Sequence, residues 1–396
     1  MTRVTTAPRT GEVLLGEIGW ARFKAGHPWI YRGQFKSPAA DLAAGTVRIV
    51  DPRGKVLGTA LYSPASQIAL RLLTREETTI DAAWFASRFS AARDYRDRVM
   101  EPRSARREFF SESDGIPSLV VDRYGDHLVV QVLSAGLEAL EGALFEALGE
   151  VYKPASILAR NEVSVRKLEG LERGVFQKHG VTPERIEIQE GERTLEVDPW
   201  RGQKTGLFLD QFENHAAATQ LTRGRVLDAF ASTGGFGLAM SGRAREVVAL
   251  DSSGDSLATA ARNVTRNGLD NFKFVEANAF DWLKSADQAG EKFDVIVLDP
   301  PAFAKNKAEV EAGVRGYKEI NLRAMKMLTP GGVLVSCSCS HHITEELFHD
   351  VLAAAAADVR RRFRIIEKRT QGRDHPILVG FPESYYLKCF LLQFLD

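Results

Sequence analysis

The chain has 396 residues, 44% hydrophobic and 26% charged, which is long for one ordinary domain and excludes wholesale disorder. The formal net charge is zero, yet residues 1–75 hold 11 Lys/Arg against 4 Asp/Glu and the remainder 41 against 48, so a basic segment precedes a mildly acidic body. No apolar run approaches the ~20 residues of a membrane span, no signal-peptide pattern opens the chain, and three cysteines are too few for a disulfide framework or a Cys-rich metal site. A cytoplasmic protein with no membrane partner is expected.

From Gly45 to Thr74, short β-rich runs are punctuated by Asp51-Pro52-Arg53-Gly54 and Ser63-Pro64, a pattern that predicts a small β-barrel. Its positive charge suits phosphate contact or simply a solvated surface. Trp29, Tyr31 and Phe35 would either stack on bases or fill the barrel. On the phosphate reading, deleting residues 1–77 weakens RNA binding and its salt dependence.

Residues 81–100 lack Gly and Pro and space Trp84, Phe85, Phe89, Ala92, Tyr95 and Val99 as one helix would. Strands at 119–121, 128–131 and 156–158 and a helix at 137–151 then outline an α+β middle domain. Its Ser111-Glu112-Ser113-Asp114-Gly115-Ile116-Pro117 segment, a polar turn ahead of a strand, reads as turn chemistry.

After residue 196 strands and helices alternate: strands at 225–229, 246–250, 272–276, 293–298 and 332–336, with helices between them. That alternation predicts a mostly parallel sheet covered on both faces. A further strand pattern surrounds Cys389 and a helix surrounds the alanine run 353–357.

Five strand ends carry candidate chemistry. Asp228-Ala229-Phe230-Ala231-Ser232-Thr233-Gly234-Gly235 leads an apolar strand through small residues into a helix, which lets backbone approach a ligand. Asp251 ends the next strand, where a carboxylate can accept both hydroxyls of a ribose. Asn278 and Phe280 follow the third strand. Asp299-Pro300-Pro301 fixes φ at two successive residues and carries Phe303, a surface on which an extruded base could stack. Beyond the fifth strand lie Cys337 and Cys339, and spacing alone allows either to be a thiol nucleophile adding to C6 of a pyrimidine. A buried cysteine is also a common inert core residue.

Gly26-His27-Pro28-Trp29-Ile30-Tyr31-Arg32-Gly33, Val121-Asp122-Arg123-Tyr124-Gly125-Asp126, Gly202-Gln203-Lys204-Thr205-Gly206-Leu207-Phe208-Leu209-Asp210-Gln211, Thr233-Gly234-Gly235-Phe236, Asp299-Pro300-Pro301, Gly316-Tyr317-Lys318-Glu319-Ile320-Asn321 and Ser338-Cys339-Ser340 span almost the whole chain. Together they resemble the bacterial PUA-domain-containing rRNA cytosine-C5 methyltransferases of the large subunit. The resemblance implies a PUA-like RNA-binding domain at 1–77, a linker helix and α+β middle domain at 78–195, and a Rossmann-like class I methyltransferase domain at 196–396. It implies S-adenosylmethionine as cofactor, large-subunit rRNA as substrate and formation of 5-methylcytosine.

On that resemblance Cys339 is the nucleophile, with Asp299 the candidate base for the C5 proton. The cofactor would meet Asp228, Phe230, Thr233, Gly234, Gly235, Asp251, Ser252, Asn278, Ala279, Asp299, Lys204 and Gln211. The RNA would meet Pro300, Pro301, Phe303, Tyr317, Arg32 and Lys24. Three features depart from the family pattern: Ser232 where an aromatic residue is frequent, Asn278 where an acid is common, and His341-His342 after the Ser-Cys-Ser motif. The Asp299 loop also lacks the second thiol of other RNA cytosine-C5 methyltransferases. Two other readings stay open, a guanine or exocyclic-amine methyltransferase without a covalent step and a non-catalytic ribosome-assembly factor. A homodimer is compatible with the sequence, although no exposed apolar stripe demands one.

Overall fold

The computed structural model describes residues 11–36, 42–51 and 53–395, which divide into two compact units. The first comprises the chain up to Ile186 together with Val197–Leu207 and Arg373–Ser384, and the second comprises the rest. Among the described residues no helix is long and apolar enough to cross a membrane.

One sheet of the first unit has six strands in the order Trp29–Ile30, Leu70–Thr74, Val56–Tyr62, Gly45–Val50, Gly11–Leu15 and Phe35–Lys36. Strand alternation buries Val47 and Ile49 completely beside Val13, Leu15, Ile30 and Phe35, while Thr46 and Arg48 face outward. The turn that follows is held by the Asp51 carboxylate, which accepts the amides of Arg53 and Lys55 at 2.8 and 2.9 Å. Pro52 of that motif lies outside the described residues.

The expected helix occupies Ala82–Val99, with the Asp81 side chain accepting the Trp84 amide at 2.9 Å, a cap that stabilises by about 1 kcal/mol. Phe85 and Phe89 are fully buried against the middle sheet, whose five strands run Val175–Gly180, Ser156–Arg160, His127–Val132, Leu119–Tyr124 and Ala105–Phe110. The helix expected at 137–151 is divided into Ala135–Glu138 and Glu141–Tyr152, because Leu140 leaves helical geometry at φ −107°, ψ 12°.

Strand Ala105–Phe110 escaped the sequence reading for a physical reason. Arg106, Arg107 and Glu108 are all buried, so the apolar signal is missing. Their charges are paired instead: Arg107 grips the fully buried Asp122 through two 2.8 Å bonds, and the Thr205 hydroxyl donates to the same carboxylate. The 113–117 segment is structural, since Asp114 receives the Arg96 guanidinium and the Phe110 amide.

The second unit has a seven-stranded sheet in the order Phe272–Glu276, Glu246–Asp251, Arg225–Ala229, Phe293–Leu298, Leu328–Ser338, Lys388–Phe394 and Phe363–Arg369. The first five are parallel, and Lys388–Phe394 is antiparallel to both neighbours. Side chains alternate between two buried faces. Leu227, Leu250, Ile296 and Leu298 join one cluster, and Val226, Val247, Val295 and Val297 the other. Double burial explains why these strands read as near-continuous apolar runs. Strand Arg225–Ala229 lies between the second and fourth strands, so the order reverses there and opens a crevice at the carboxyl edge. The edge strand Phe363–Arg369 was not expected, because its side chains are mostly exposed and Ile365 and Ile366 are adjacent rather than alternating.

Candidate active site

The glycine-rich turn is built by backbone conformations that only tertiary packing can hold. Phe230, Ser232 and Gly234 have φ of 64°, 49° and 88°, so two non-glycine residues occupy the left-handed region within five positions. The buried Asp228 carboxylate anchors the far side of the turn by accepting the Gly237 amide at 2.8 Å. At Gly235 a Cβ would lie 2.7 Å from His215 Cε1, so the backbone can approach the imidazole only without a side chain.

Asp251 closes the turn from the next strand. One of its oxygens accepts the Ser232 amide and the other the Ser253 amide, both at 2.8 Å. Its carboxylate is therefore oriented before any ligand arrives, with lone pairs left for ribose hydroxyls. Ser232, the position that departs from the family pattern, contributes through its backbone. Asn278 is exposed and caps helix Ala279–Gln288, accepting the Phe280 amide at 2.9 Å, which commits its carbonyl oxygen to the helix.

At the fourth strand end Asp299 is half-buried, Pro300 is buried and Pro301 is exposed. Phe303 lies 5.5 Å from the Phe280 ring and 6.4 Å from Phe230, so aromatic faces from three strand ends converge on one edge of the crevice. Cys339 meets this loop directly. Its half-buried thiol points at the Pro300 carbonyl, 3.7 Å away. Cys337 is fully buried opposite Cys389, and burial together with that neighbour pushes its thiol well above the usual value. Both thiols pack toward the same apolar cluster, as strand alternation required, but only Cys339 is accessible.

Residues 15–75 match the PUA-like domain family and residues 222–378 the methyltransferase domain family. Over 377 residues the chain is 43% identical to the ribosomal RNA large subunit methyltransferase I of Tolumonas auensis, covering 93% of this chain and 95% of that one. The Escherichia coli strain HS protein of the same name is 40% identical over 373 residues, covering 92% and 94%. This chain belongs to the ribosomal RNA large subunit methyltransferase I family.

Two solved structures share the fold of this methyltransferase I family member. SMU.776, solved in complex with SAH, has a TM-score of 0.84 at 21% identity over 97% of this chain and all of that one. A SAM-dependent methyltransferase from Streptococcus mutans has a TM-score of 0.81 at 20% identity with the same coverage. The expected PUA-like and Rossmann-like architecture is thereby shown, with S-adenosylmethionine as the family's cofactor. The turn at 230–235 and the preset Asp251 carboxylate fit that cofactor's amino-acid and ribose parts.

The remaining site residues expected of a methyltransferase I family member fall in several environments. Thr233, Gly234, Gly235, Ser252 and Ala279 line the carboxyl edge with the residues already described. Gln211 is buried, its carbonyl accepting the Asn214 amide at 2.6 Å, and it also bonds Cys337. Lys204 belongs to the first unit, exposed and with φ 55°. Tyr317 is fully buried and bonded to Ser340, which places it behind the loop as a support. Arg32 clasps the carbonyls of Ser63, Pro64 and Ser66, and Lys24 is exposed beside the Trp20 ring. Trp29 stays out of the barrel core: it is half-buried, its indole donating to Glu112 at 2.7 Å and packing edge-on against Phe381.

Sequence reasoning gave no role to Ser340, His215 or Lys388. Ser340 accepts the Ala304 amide at 3.2 Å through its hydroxyl and the Lys388 ammonium at 2.7 Å through its carbonyl. A signal for Lys388 did exist: it is the lone charge in the apolar run from Tyr385 to Leu392. Of the two histidines after the Ser-Cys-Ser motif, His341 is exposed and His342 half-buried.

Proposed function

We propose that the chain transfers a methyl group from S-adenosylmethionine to C5 of a cytosine in large-subunit rRNA, with Cys339 as covalent nucleophile. The observation that carries this reading is the accessible thiol of Cys339 held 3.7 Å from the Pro300 carbonyl, at the edge shared with the Asp251 turn. Bound S-adenosylmethionine would supply an electrophilic methyl group, its S–CH3 bond breaking to leave S-adenosylhomocysteine. The Cys339 thiolate forms a bond to C6 of the pyrimidine, which puts electron density on C5 and makes it the atom that accepts the methyl. Asp299, half-buried at the strand end, then takes the C5 proton as the C6–S bond breaks and the thiolate leaves. Pro300, Pro301 and Phe303 give the target base a rigid apolar surface.

The N-terminal module supplies phosphate contact through exposed cations such as Lys24. Deleting residues 1–77 is a poor test of this, because it removes Arg71, whose guanidinium lies 2.7 Å from the buried Glu169 carboxylate, and Trp29. Point substitution of Lys24 leaves those contacts in place. The rRNA substrate puts the reaction in the cytoplasm.

The test is nucleoside mass spectrometry of rRNA after incubation with methyl-labelled S-adenosylmethionine, run beside Cys339→Ala. Label in 5-methylcytidine that vanishes in the variant is expected. Label in a methylated guanosine or adenosine would sink the thiol mechanism, and no label on rRNA or assembly particles would favour a binding factor.

A further inference from the structure

Lys388 begins the antiparallel strand Lys388–Phe394 and pairs in register with Ser338, one residue before the nucleophile. It is 2% exposed. Its ammonium donates to the Ser340 carbonyl at 2.7 Å and to the Tyr386 carbonyl at 2.9 Å. Neutral carbonyls satisfy donors, but they do not cancel the cost of a buried charge, which requires an anionic neighbour.

Two groups can supply that anion: Cys339, and Glu345 at the start of helix Glu345–Asp358. Glu345 is already shared, accepting Lys368 Nζ at 2.9 Å and the Tyr385 hydroxyl at 2.8 Å. Cys339 immediately precedes Ser340, whose carbonyl the Lys388 ammonium clasps. Tyr317 faces it from helix Val310–Met327, the Asp299-Pro300 loop from the fourth strand end, and His341 and His342 follow it in the chain.

We propose that Lys388 is a positioning residue whose buried ammonium holds Cys339 as a thiolate and, through the Ser340 carbonyl, fixes the backbone that carries it. The role rests on reading Cys339 as the nucleophile. It is electrostatic and reciprocal: each charge lowers the cost of the other in the same dry corner. Burial brings the Lys388 ammonium down to about 8, against the opposing pull of Cys339 and Glu345, so it remains mostly charged at neutral pH. When the sulfur is bonded to C6 it carries no negative charge, and the ammonium loses its partner. Expulsion of the thiolate restores the pair, so Lys388 also favours release of the methylated base.

The experiment is alkylation of the full chain by iodoacetamide without RNA, following Cys339 by peptide mass spectrometry across roughly pH 5.5 to 9.5. The expected wild-type midpoint lies below the ordinary thiol value of about 8.5. Lys388→Met is expected to raise it by about one unit or more, and Lys388→Arg, which keeps the charge, to stay near wild type. Superimposed wild-type and Lys388→Met profiles would overturn the proposal, since a purely structural clasp of Ser340 would not move the thiol. If Lys388→Met does not fold, the wild-type midpoint decides alone, and a value at or above about 8.5 also overturns it. Alkylation needs no methyl transfer, so loss of the nucleophile reading in the Cys339→Ala assay is a separate and distinguishable outcome.

Discussion

The hydroxyl of Tyr317 lies 3.0 Å from Ser340 Oγ, and that same Oγ accepts the amide of Ala304. One buried hydroxyl pair thus ties the end of the Asp299 loop to the residue after Cys339, while the Tyr317 ring supports Phe303 at 4.6 Å. Tyr317→Phe keeps the ring and removes the bond. Stability should fall by about 1 kcal/mol, with a several-fold loss in kcat and little change in affinity for S-adenosylmethionine. Steady-state kinetics beside a urea melt checks this, and unchanged kcat refutes it.

Asp251→Ala removes an acceptor from both Ser232 and Ser253 and the carboxylate assigned to the ribose in the proposed reading. Calorimetric titration should show affinity for S-adenosylmethionine weakened about tenfold or more, equivalent to roughly 1.4 kcal/mol. An unaltered Kd would remove Asp251 from the cofactor site.

Burial, with Asp299 and Asp251 nearby, pushes the Asp228 carboxyl up to about 7, against the Gly237 amide and His215, which pull it down. The folded protein keeps this proton to higher pH than the unfolded chain, where a carboxyl ionises at about 3.9. Its contribution to stability is therefore complete below that value and is lost as pH rises through about 7. Asp228→Asn keeps an oxygen for the Gly237 amide and cannot ionise. The wild type should lose stability relative to this variant as urea melts move from about pH 5 to about pH 7.5, and a constant difference contradicts the shift.

In the first unit, Asp122→Ala would leave the Arg107 guanidinium buried without its bidentate partner and remove the acceptor of Thr205. Loss of about 3–5 kcal/mol is expected. A urea-unfolding change below about 1 kcal/mol would show that water or another acceptor takes the place of the carboxylate.

The parallel strands of the second unit were legible because burial on both faces writes unbroken apolar runs between turn residues. Ala105–Phe110 was illegible because three of its buried side chains are charged, Arg107 pairing with Asp122 on the neighbouring strand and Arg106 with Glu108, so the apolar alternation is broken. The roles of Arg32, Trp29 and Tyr317 could not be read from residue type alone. A guanidinium, an indole and a phenol suit nucleic acid as well as they suit the internal acceptors they meet here.

The sequence by itself determined the βα alternation, the order of the five strand ends that carry candidate chemistry and the chemical kinds of group placed there. Those follow from local pattern: apolar period, turn residues and motif. Tertiary structure alone decided which of two equivalent cysteines is accessible, that Asn278 spends its carbonyl on a helix cap, and that a lysine 49 positions beyond Cys339 clasps the carbonyl of the next residue, Ser340. Exposure and charge pairing depend on which distant strands become neighbours. The register that sets Lys388 opposite Ser338 is fixed only when Lys388–Phe394 closes against Leu328–Ser338.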